Sequence, residues 1–422
     1  MSSVAYAALW TFVFTMAWDW MAAVPGVAVI PRVTGAIALG LTGLAVVISG
    51  RLRRWHSFHL AAVLFWIWAG IELFLYHYGE RLPYKFWTYG QLIVMSWIIW
   101  EVAPSEQRIR GLMTAYVLGA YVAVFETIKL YRREAKALER FAAGGADGND
   151  LAMVLALGLP MAWYLGMTYR QPILRWACRL YLPAAVVTIG LTGSRGGMVA
   201  TTVALLVVPL FMTRLSPKRL GTAIVVLGAV GALAIAYTPE TLIERLATTR
   251  MEVEGGRFGG RGKLWKAGLA VFGEHPVFGF GSGHFKTAIT PILGPASQVA
   301  HNSYLSVLVE QGIVGFVLYM AMIAAVLRSI LRMPLLERRF ALVLLATLGI
   351  AMLPLTWEDR RELWFVLAVL LGLSRALVAQ REASQPPIPH HRIPAPAWGR
   401  AAGRPRERLT ASPRDDARDG PA

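Results

Sequence analysis

The sequence predicts an all-α integral membrane protein of about twelve transmembrane helices, and three observations support this. Of its 422 residues, 56% are apolar and only 16% are charged, whereas soluble domains carry about 25% charged residues. The mean hydropathy is +0.50, and 15 Trp with 40 scattered Gly fit neither a disordered nor a collagen-like chain. The apolar residues gather into stretches of about 17 to 25, enough to cross a bilayer core of about 30 Å as helices.

Twelve such stretches follow one another along the chain. The first has no small-residue cleavage site, and Asp19 and Trp20 follow its apolar core, so we expect it to be retained rather than removed as a signal peptide. The twelve predicted spans cover approximately residues 4–23, 33–50, 57–76, 84–103, 108–130, 150–169, 173–192, 195–213, 218–237, 302–327, 338–356 and 361–379.

Two segments lie outside this pattern. Residues 238–300, between the ninth and tenth spans, form the one large extramembrane insertion. Residues 380–422 hold eight prolines and eight arginines with few large apolar residues, a composition typical of disorder. We therefore expect a transmembrane bundle over 1–379, with the loop 238–300 included, and a disordered cytoplasmic tail over 380–422.

The excess of positive charge raises the question of which side it faces. Lys and Arg number 42 against 25 Asp and Glu, a net charge of +17, which by itself is also compatible with nucleic-acid binding. With the N-terminus inside, the short cytoplasmic loops hold fourteen Lys and Arg and the short outer loops ten, which favours both termini inside and loop 238–300 outside. The outer face remains unusually basic, so its arginines either bind an anionic ligand or hold lipid headgroups.

The motif LTGSRGGMVA places Arg195 between two apolar spans, after Ser194 and among glycines. Glycine lets a backbone approach a ligand closely, and an arginine at a helix N-terminus adds its charge to the positive end of the helix dipole. The pattern therefore predicts a phosphate site. A snorkelling interfacial arginine after a glycine turn is the alternative.

The long loop carries a second group of arginines. Arg257 and Arg261 lie in the glycine-rich stretch GGRFGGRGKLWKAG, before an amphipathic helix that begins near Gly262. The following segment, HPVFGFGSGHF, contains G-x-G repeats, but no βαβ pattern surrounds them, so a dinucleotide-binding fold is rejected.

The third motif, HNSYLSVLVEQGIVGF, opens the tenth span with His301 and Asn302. A neutral imidazole is the side chain best suited to accept a proton near neutrality, although a histidine at an interface is often only a marker of that interface. Glu310 lies nine residues on, deeper and on the opposite face of an unbroken helix. It is therefore better placed to pair with a buried cation than to orient His301.

Other ionisable residues fall within predicted spans and are costly to leave unpaired in a membrane; these are Asp19, Glu72, Glu126 and Lys129. The single cysteine, Cys178, excludes an intrachain disulfide and a cysteine-based zinc site. The histidines include no H-x-x-x-H pair, so we expect neither a metal nor another cofactor.

These motifs together resemble the O-antigen ligase and polymerase superfamily. The resemblance rests on S-R-G-G before a span, G-R-x-x-L-W in a long outer loop, H-P-x-x-G-x-G, and H-N-x-x-L-x-x-x-x-E-x-G-x-x-G opening the next span, in that order. It covers residues 185–320 by motif and 1–379 by span count. It implies a GT-C-like bundle with its large periplasmic loop between spans nine and ten, and among the branches it is most like the ligase.

The resemblance implies an enzyme of the bacterial inner membrane with its active site on the periplasmic face. Ligases of this kind transfer a glycan from undecaprenyl diphosphate to a sugar hydroxyl of lipid A-core, and no nucleic acid takes part. By motif, Arg195 and Arg261 match the arginines proposed to hold the donor diphosphate, and His301 matches an essential histidine. Arg257 lies beside the motif, and Ser194, Asn302 and Glu310 are supporting residues.

From these roles we expect a single inverting displacement with His301 as general base, since no carboxylate stands beside His301 in the sequence to act as a nucleophile. Two alternatives remain open. A polysaccharide polymerase of the same superfamily explains the same features. A transporter of lipid-linked glycans is also a twelve-span bundle, but its halves should repeat one another, and the Gly-Arg motifs have no counterpart in the first six spans.

Overall fold

The computed structural model describes residues 2–18, 29–75, 84–134, 140–207 and 260–384, together with the single residues 221 and 228. Asp19, Arg257, the ninth predicted span except residues 221 and 228, and residues 238–259 of the long loop lie outside the described residues. The chain divides into two compact units, Met1–Glu382 and Ala383–Ala422, and the second falls almost wholly outside them.

The described residues form an all-helical protein with thirteen α-helices. In chain order these are α1 Ser2–Met16, α2 Ile30–Ser49, α3 Ser57–Leu75, α4 Tyr84–Val102, α5 Glu106–Glu134, α6 Gly148–Thr168, α7 Pro172–Thr192, α8 Arg195–Leu205, α9 Arg261–Phe272, α10 Phe285–Leu293, α11 Ser303–Ile330, α12 Leu335–Ala351 and α13 Arg361–Ser384. α13 continues past residue 380, where the predicted tail begins.

Six of these helices are long and apolar enough to cross a membrane: α2, α5, α6, α7, α11 and α13, the last of these up to Ala383. Ser3–Met16 and Ser57–Glu72 are shorter apolar helices. By length and composition, the described helices are consistent with a polytopic membrane protein. Eleven of the twelve predicted spans coincide with a described helix, but the count of twelve membrane crossings stays a prediction.

The bundle is built around α6 and α13. In each of these helices, 83% of an apolar 18-residue stretch is buried inside the protein, whereas in α2 the buried share of such a stretch is 11%. A helix that is apolar all round belongs in the interior of a bundle, whereas α2 turns its apolar side chains outward. Small residues permit close helix contacts: Gly158 of α6 lies against Tyr181 of α7, whose hydroxyl donates to the Leu155 carbonyl at 3.0 Å.

Successive helices run in opposite directions, so their connections gather at two ends. At one end the Tyr6 hydroxyl donates to the Arg108 carbonyl at 2.8 Å, and Ser329 lies 3.3 Å from His56. At the other end Arg140 donates to the Thr192 carbonyl at 2.8 Å. Those described residues that belong to the predicted outer segments thus share one end of the bundle, called here the site end.

The long-loop helices pack on α11 at the site end. Leu264 and Val271 of α9, Phe285 and Ile289 of α10 and Val309 of α11 belong to one small apolar core. This core separates α9 and α10 from the main bundle core and holds them against the start of α11.

A backbone crossing explains the glycines of the H-P-x-x-G-x-G motif. Gly312 interrupts α11 with φ +63°, and Gly279 has φ +72°. The two segments touch through their main chains, with the Ile313 N–H on the Pro276 carbonyl at 2.8 Å and the Gly281 N–H on the Glu310 carbonyl at 2.7 Å. A Cβ on Gly279 or Gly312 would collide with the opposite backbone, so these glycines serve packing rather than ligand binding.

Candidate active site

Arg195 and Arg261 each occupy the first residue of a helix at the site end. Gly260, with φ +86°, precedes Arg261, and Ser194 caps α8 by accepting from the Gly197 N–H at 3.1 Å. Both guanidinium groups therefore stand at the positive end of a helix dipole, where an anion is stabilised.

The glycines of S-R-G-G have a packing role that the sequence interpretation missed. A Cβ on Gly197 would overlap Ala152 of α6, and a Cβ on Gly196 would come within 2.8 Å of Pro354. These glycines bring the start of α8 against α6 and the segment 352–360. Arg195 is thereby placed close to the centre of the bundle, and the glycines need no ligand to explain them.

Three arginines share one electrostatic neighbourhood at the site end: Arg140, Arg195 and Arg261. Burial lowers the pKa of Arg261 most, Asp147 opposes this shift, and Arg140 and Arg195 add to it. Arg140 is anchored by its bond to the Thr192 carbonyl and by a 3.2 Å contact with Asn149. Like charges held this close favour binding of a polyanion between them.

His301 lies at the mouth of α11 beside this group. Its backbone has φ +46°, a left-handed conformation that residues other than glycine rarely adopt. Its N–H donates to Thr356 Oγ1 at 2.9 Å. The imidazole is half-buried, and its pKa is lowered by burial and by Arg261, while Asp147 and Asp150 raise it.

The segment 352–357 holds the start of α11 in place. Asn302 caps the helix by accepting from the Leu305 N–H at 3.0 Å. The Ser303 N–H donates to the Met352 carbonyl at 2.9 Å, and Ser303 Oγ donates to the Leu355 carbonyl at 2.9 Å. The position of His301 is therefore fixed in two ways: its own N–H is held by Thr356, and Asn302, the next residue, caps α11.

Two carboxylates near His301 are engaged by other groups. Asp147 caps α6 by accepting from the Asn149 N–H at 2.6 Å. Asp150 accepts from Trp357 Nε1 at 2.9 Å and pairs with Arg360 at 3.4 Å. No carboxylate stands beside His301 in the sequence, but the start of α6 brings both of these near it in space.

Glu310 takes part in a buried ion cluster rather than in the His301 site. Lys85 Nζ lies 2.8 Å from Glu310 Oε2 and 2.5 Å from Glu358 Oε1. Glu310 also accepts from the Gly283 N–H at 2.8 Å and the Phe285 N–H at 3.3 Å. The cluster joins α4, the start of α10, α11 and the segment 352–360, so Glu310 positions the elements around the site.

The other ionisable residues within predicted spans are also paired where they are described. Glu126 and Lys129 form an ion pair at 3.3 Å, and Glu72 accepts from the Ser282 N–H and hydroxyl, both at 3.1 Å. In the described part of the chain, no group of three or more His, Cys, Asp and Glu residues is arranged to hold a metal ion.

A large cavity opens next to Asp147 and Asp150. It has a volume of about 1130 Å³ and runs between α1, α2 and α4. Its wall is mainly apolar, with Phe12, Trp66 and Met95 among the lining residues, and Arg360 lies at its polar end. An apolar cavity with a few convergent polar groups is the usual form of a small-molecule or lipid site.

The structure thus brings together Arg195, Arg261 and His301 and adds residues that the sequence did not single out. Arg140 was counted only as one basic residue of an outer loop, and Asp147, Asp150 and Thr356 belong to no recognised motif. The DGND stretch, a cap signal at the start of α6, was the one sequence signal that could have pointed to Asp147.

Comparison with known families agrees with this arrangement. Residues 180–320 match the family model described as O-antigen ligase, a range that contains Arg195, Arg261 and His301. No curated protein matches the chain. The family match and the order of the motifs together show that residues 180–320 are similar to the O-antigen ligase family.

Proposed function

We propose that the protein transfers a polysaccharide from undecaprenyl diphosphate to a sugar hydroxyl of lipid A-core, at the periplasmic face of the bacterial inner membrane. The observation that carries the proposal is the convergence of Arg195, Arg261 and His301. These residues lie on three different segments, yet Arg195 and His301 are both close enough to Arg261 for their electrostatic interactions with it to matter.

The arginines suit the leaving group of this reaction. As the glycosidic bond to the diphosphate breaks, negative charge develops on the departing phosphate. Guanidinium groups bind phosphate in a bidentate manner and stay charged at any relevant pH. Arg195, Arg261 and Arg140, with two helix N-termini, therefore supply fixed positive charge where the transition state needs it, without a metal.

His301 suits the role of general base. The acceptor hydroxyl must lose its proton as it attacks the anomeric carbon, and a neutral imidazole can accept it. Burial and Arg261 lower the pKa of His301, which keeps the ring unprotonated near neutral pH. Asp147 and Asp150 stabilise the imidazolium that forms once the proton is taken.

The proposed displacement is inverting. Asp147 and Asp150 lie near the site, but one caps a helix and the other is held by Trp357 and Arg360, so neither is free to attack the sugar. A product that retains the anomeric configuration of the donor would contradict a single displacement and point to one of these carboxylates.

The large cavity supports a lipid-linked substrate. It combines an apolar wall between helices with charged lining residues that include Asp147, Asp150 and Arg360. A polyprenyl chain or an acyl chain can occupy the apolar part while a polar headgroup faces the site end.

Reconstitution with purified donor and acceptor tests the proposal. We expect His301→Ala, Arg195→Ala and Arg261→Ala each to abolish transfer while the protein still inserts and purifies normally. Lys266→Ala is the matched control, because Lys266 is an exposed basic residue of the same helix as Arg261. Full activity of His301→Ala would remove the general-base role.

A polymerase of the same superfamily is the second candidate, since the family match covers both branches. The two differ in the products that accumulate in a deletion strain. Bare lipid A-core with undecaprenyl-linked polysaccharide indicates a lost ligase. A single repeat unit attached to lipid A-core indicates a lost polymerase.

A further inference from the structure

A second cavity lies at the opposite end of the bundle from His301. It has a volume of about 230 Å³. Its wall includes Ser329, near the end of α11, whereas Asn302 caps the start of that helix. A helix of 28 residues spans about 40 Å, so the cavity is at the other membrane surface. We call it the basic pocket; its lining includes Arg54, His56, Trp100, Ser329, Arg332 and Arg375.

The basic pocket carries positive charge without a matching carboxylate. Among the described residues, Arg54, Arg332 and Arg375 form no ion pair. The nearby Glu101 is engaged by Arg53, whose backbone N–H it accepts at 3.0 Å. Three arginines from three separate segments therefore line one small cavity.

Trp100, which lines the basic pocket, carries one hydrogen-bond donor that is unpaired in the described part of the chain. Trp100 is buried, and its Nε1–H has no acceptor among the described residues. A buried donor without a partner is uncommon in a folded protein and calls for an explanation. The Trp100 ring itself is held by the Arg53 guanidinium, which stacks 4.2 Å from the ring centroid.

His56 lies in the wall of the basic pocket, close to its arginines. Its Nδ1 accepts from the Phe58 N–H at 3.2 Å, which leaves Nε2 to donate to Ser329 Oγ at 3.3 Å. Its pKa is lowered by burial and further by Arg328, Arg332 and Arg375. These influences disfavour the charged imidazole, and the positive charge of the pocket is carried by its arginines.

We propose that the basic pocket binds a phosphate group, carried either by the headgroup of an anionic phospholipid or by soluble inorganic phosphate. Arginines that act only as topology signals need not converge on a cavity, nor lie beside an unpaired buried donor. Guanidinium groups match phosphate oxygens in geometry and charge, and the Trp100 N–H can supply one further bond. This site is independent of the proposed transfer reaction at the site end.

Lipid binding to the purified full-length protein tests the site. The pocket variant is Arg332→Gln/Arg375→Gln. The control is Arg51→Gln/Arg170→Gln, which removes the same charge from two exposed arginines outside the basic pocket. Delipidated protein in detergent is titrated with phosphatidylglycerol, with zwitterionic phosphatidylcholine and with inorganic phosphate, and bound ligand is counted by native mass spectrometry.

We expect the pocket variant to bind phosphatidylglycerol about tenfold more weakly or worse, because charged hydrogen bonds are lost, and the control to bind like the wild type. Trp100→Phe, which keeps the ring but lacks the N–H, should weaken binding to a smaller degree. If inorganic phosphate rather than lipid shows this pattern, the source is soluble phosphate. Equal binding by pocket and control variants with both probes would overturn the proposal.

Discussion

Lys85→Met should destabilise the protein strongly, because it removes the one cation of the buried ion cluster. Lys85, Glu310 and Glu358 have side chains that are only 3%, 3% and 0% exposed. Methionine keeps the linear shape and leaves two carboxylates facing each other without water. Breaking a buried pair by removing one partner costs about 3–5 kcal/mol.

The matched control is Lys129→Met. Lys129 pairs with Glu126 at 3.3 Å at the end of the fifth predicted span, where a lysine can reach the aqueous interface. Their side chains are 51% and 31% exposed, and a pair exposed to water contributes about 0–1 kcal/mol. The two substitutions are chemically identical and differ only in burial. We therefore expect the free energy of unfolding to fall several times more for Lys85→Met.

Thermal unfolding of the purified protein measures this difference. In a chain of this size, several kcal/mol correspond to a fall in Tm on the order of 5 °C, against 1 °C or less for Lys129→Met. The double variant Lys85→Met/Glu358→Gln should recover part of the loss, since it removes one unpaired charge. Equal Tm values for the two single variants would refute the reasoning, because burial would then not decide the cost.

Three further predictions concern the site end. Asp147→Asn removes a negative charge that raises the pKa of His301, so the acidic limb of the profile of kcat/KM against pH should move to lower pH; an unchanged limb would contradict the assignment of His301 as the base. Thr356→Val leaves the His301 N–H without its acceptor and should lower kcat by about fivefold or more, whereas Thr356→Ser should restore it. Gly312→Ala forces a side chain into a left-handed position against the Val277 carbonyl and should lower Tm or prevent folding; a wild-type Tm would show that the crossing relaxes easily.

The protein class and the functional motifs could be read from the sequence. Composition and the spacing of apolar stretches predict a helical membrane protein, because the bilayer core requires about 20 apolar residues per crossing. Arg195 and Arg261 were recognised from their glycine-rich settings and His301 from its place at the start of a span. Apolar stretches and short motifs involve residues that are close together in the chain, so they can be recognised in a single sequence.

The partners of these residues could not be read in the same way. Lys85 lies at the start of the fourth predicted span, and Glu310 lies in the motif that opens the tenth. Nothing in the sequence links them, because their 2.8 Å pairing depends on how α4 packs beside α11. The same holds for Asp147 and His301, which lie on different helices. The packing roles of Gly197 and Gly312 likewise depend on segments that are distant in the sequence.

The sequence by itself therefore determined the helices, their apolar faces and the residue types available for phosphate and proton chemistry. Tertiary structure alone decided which of them meet: that three arginines share one neighbourhood with His301, that Thr356 holds the strained backbone of that histidine, and that Lys85 neutralises Glu310. The physical reason is that helix formation and membrane partition depend on neighbours within a few turns of the chain, whereas electrostatic pairing depends on distance in space.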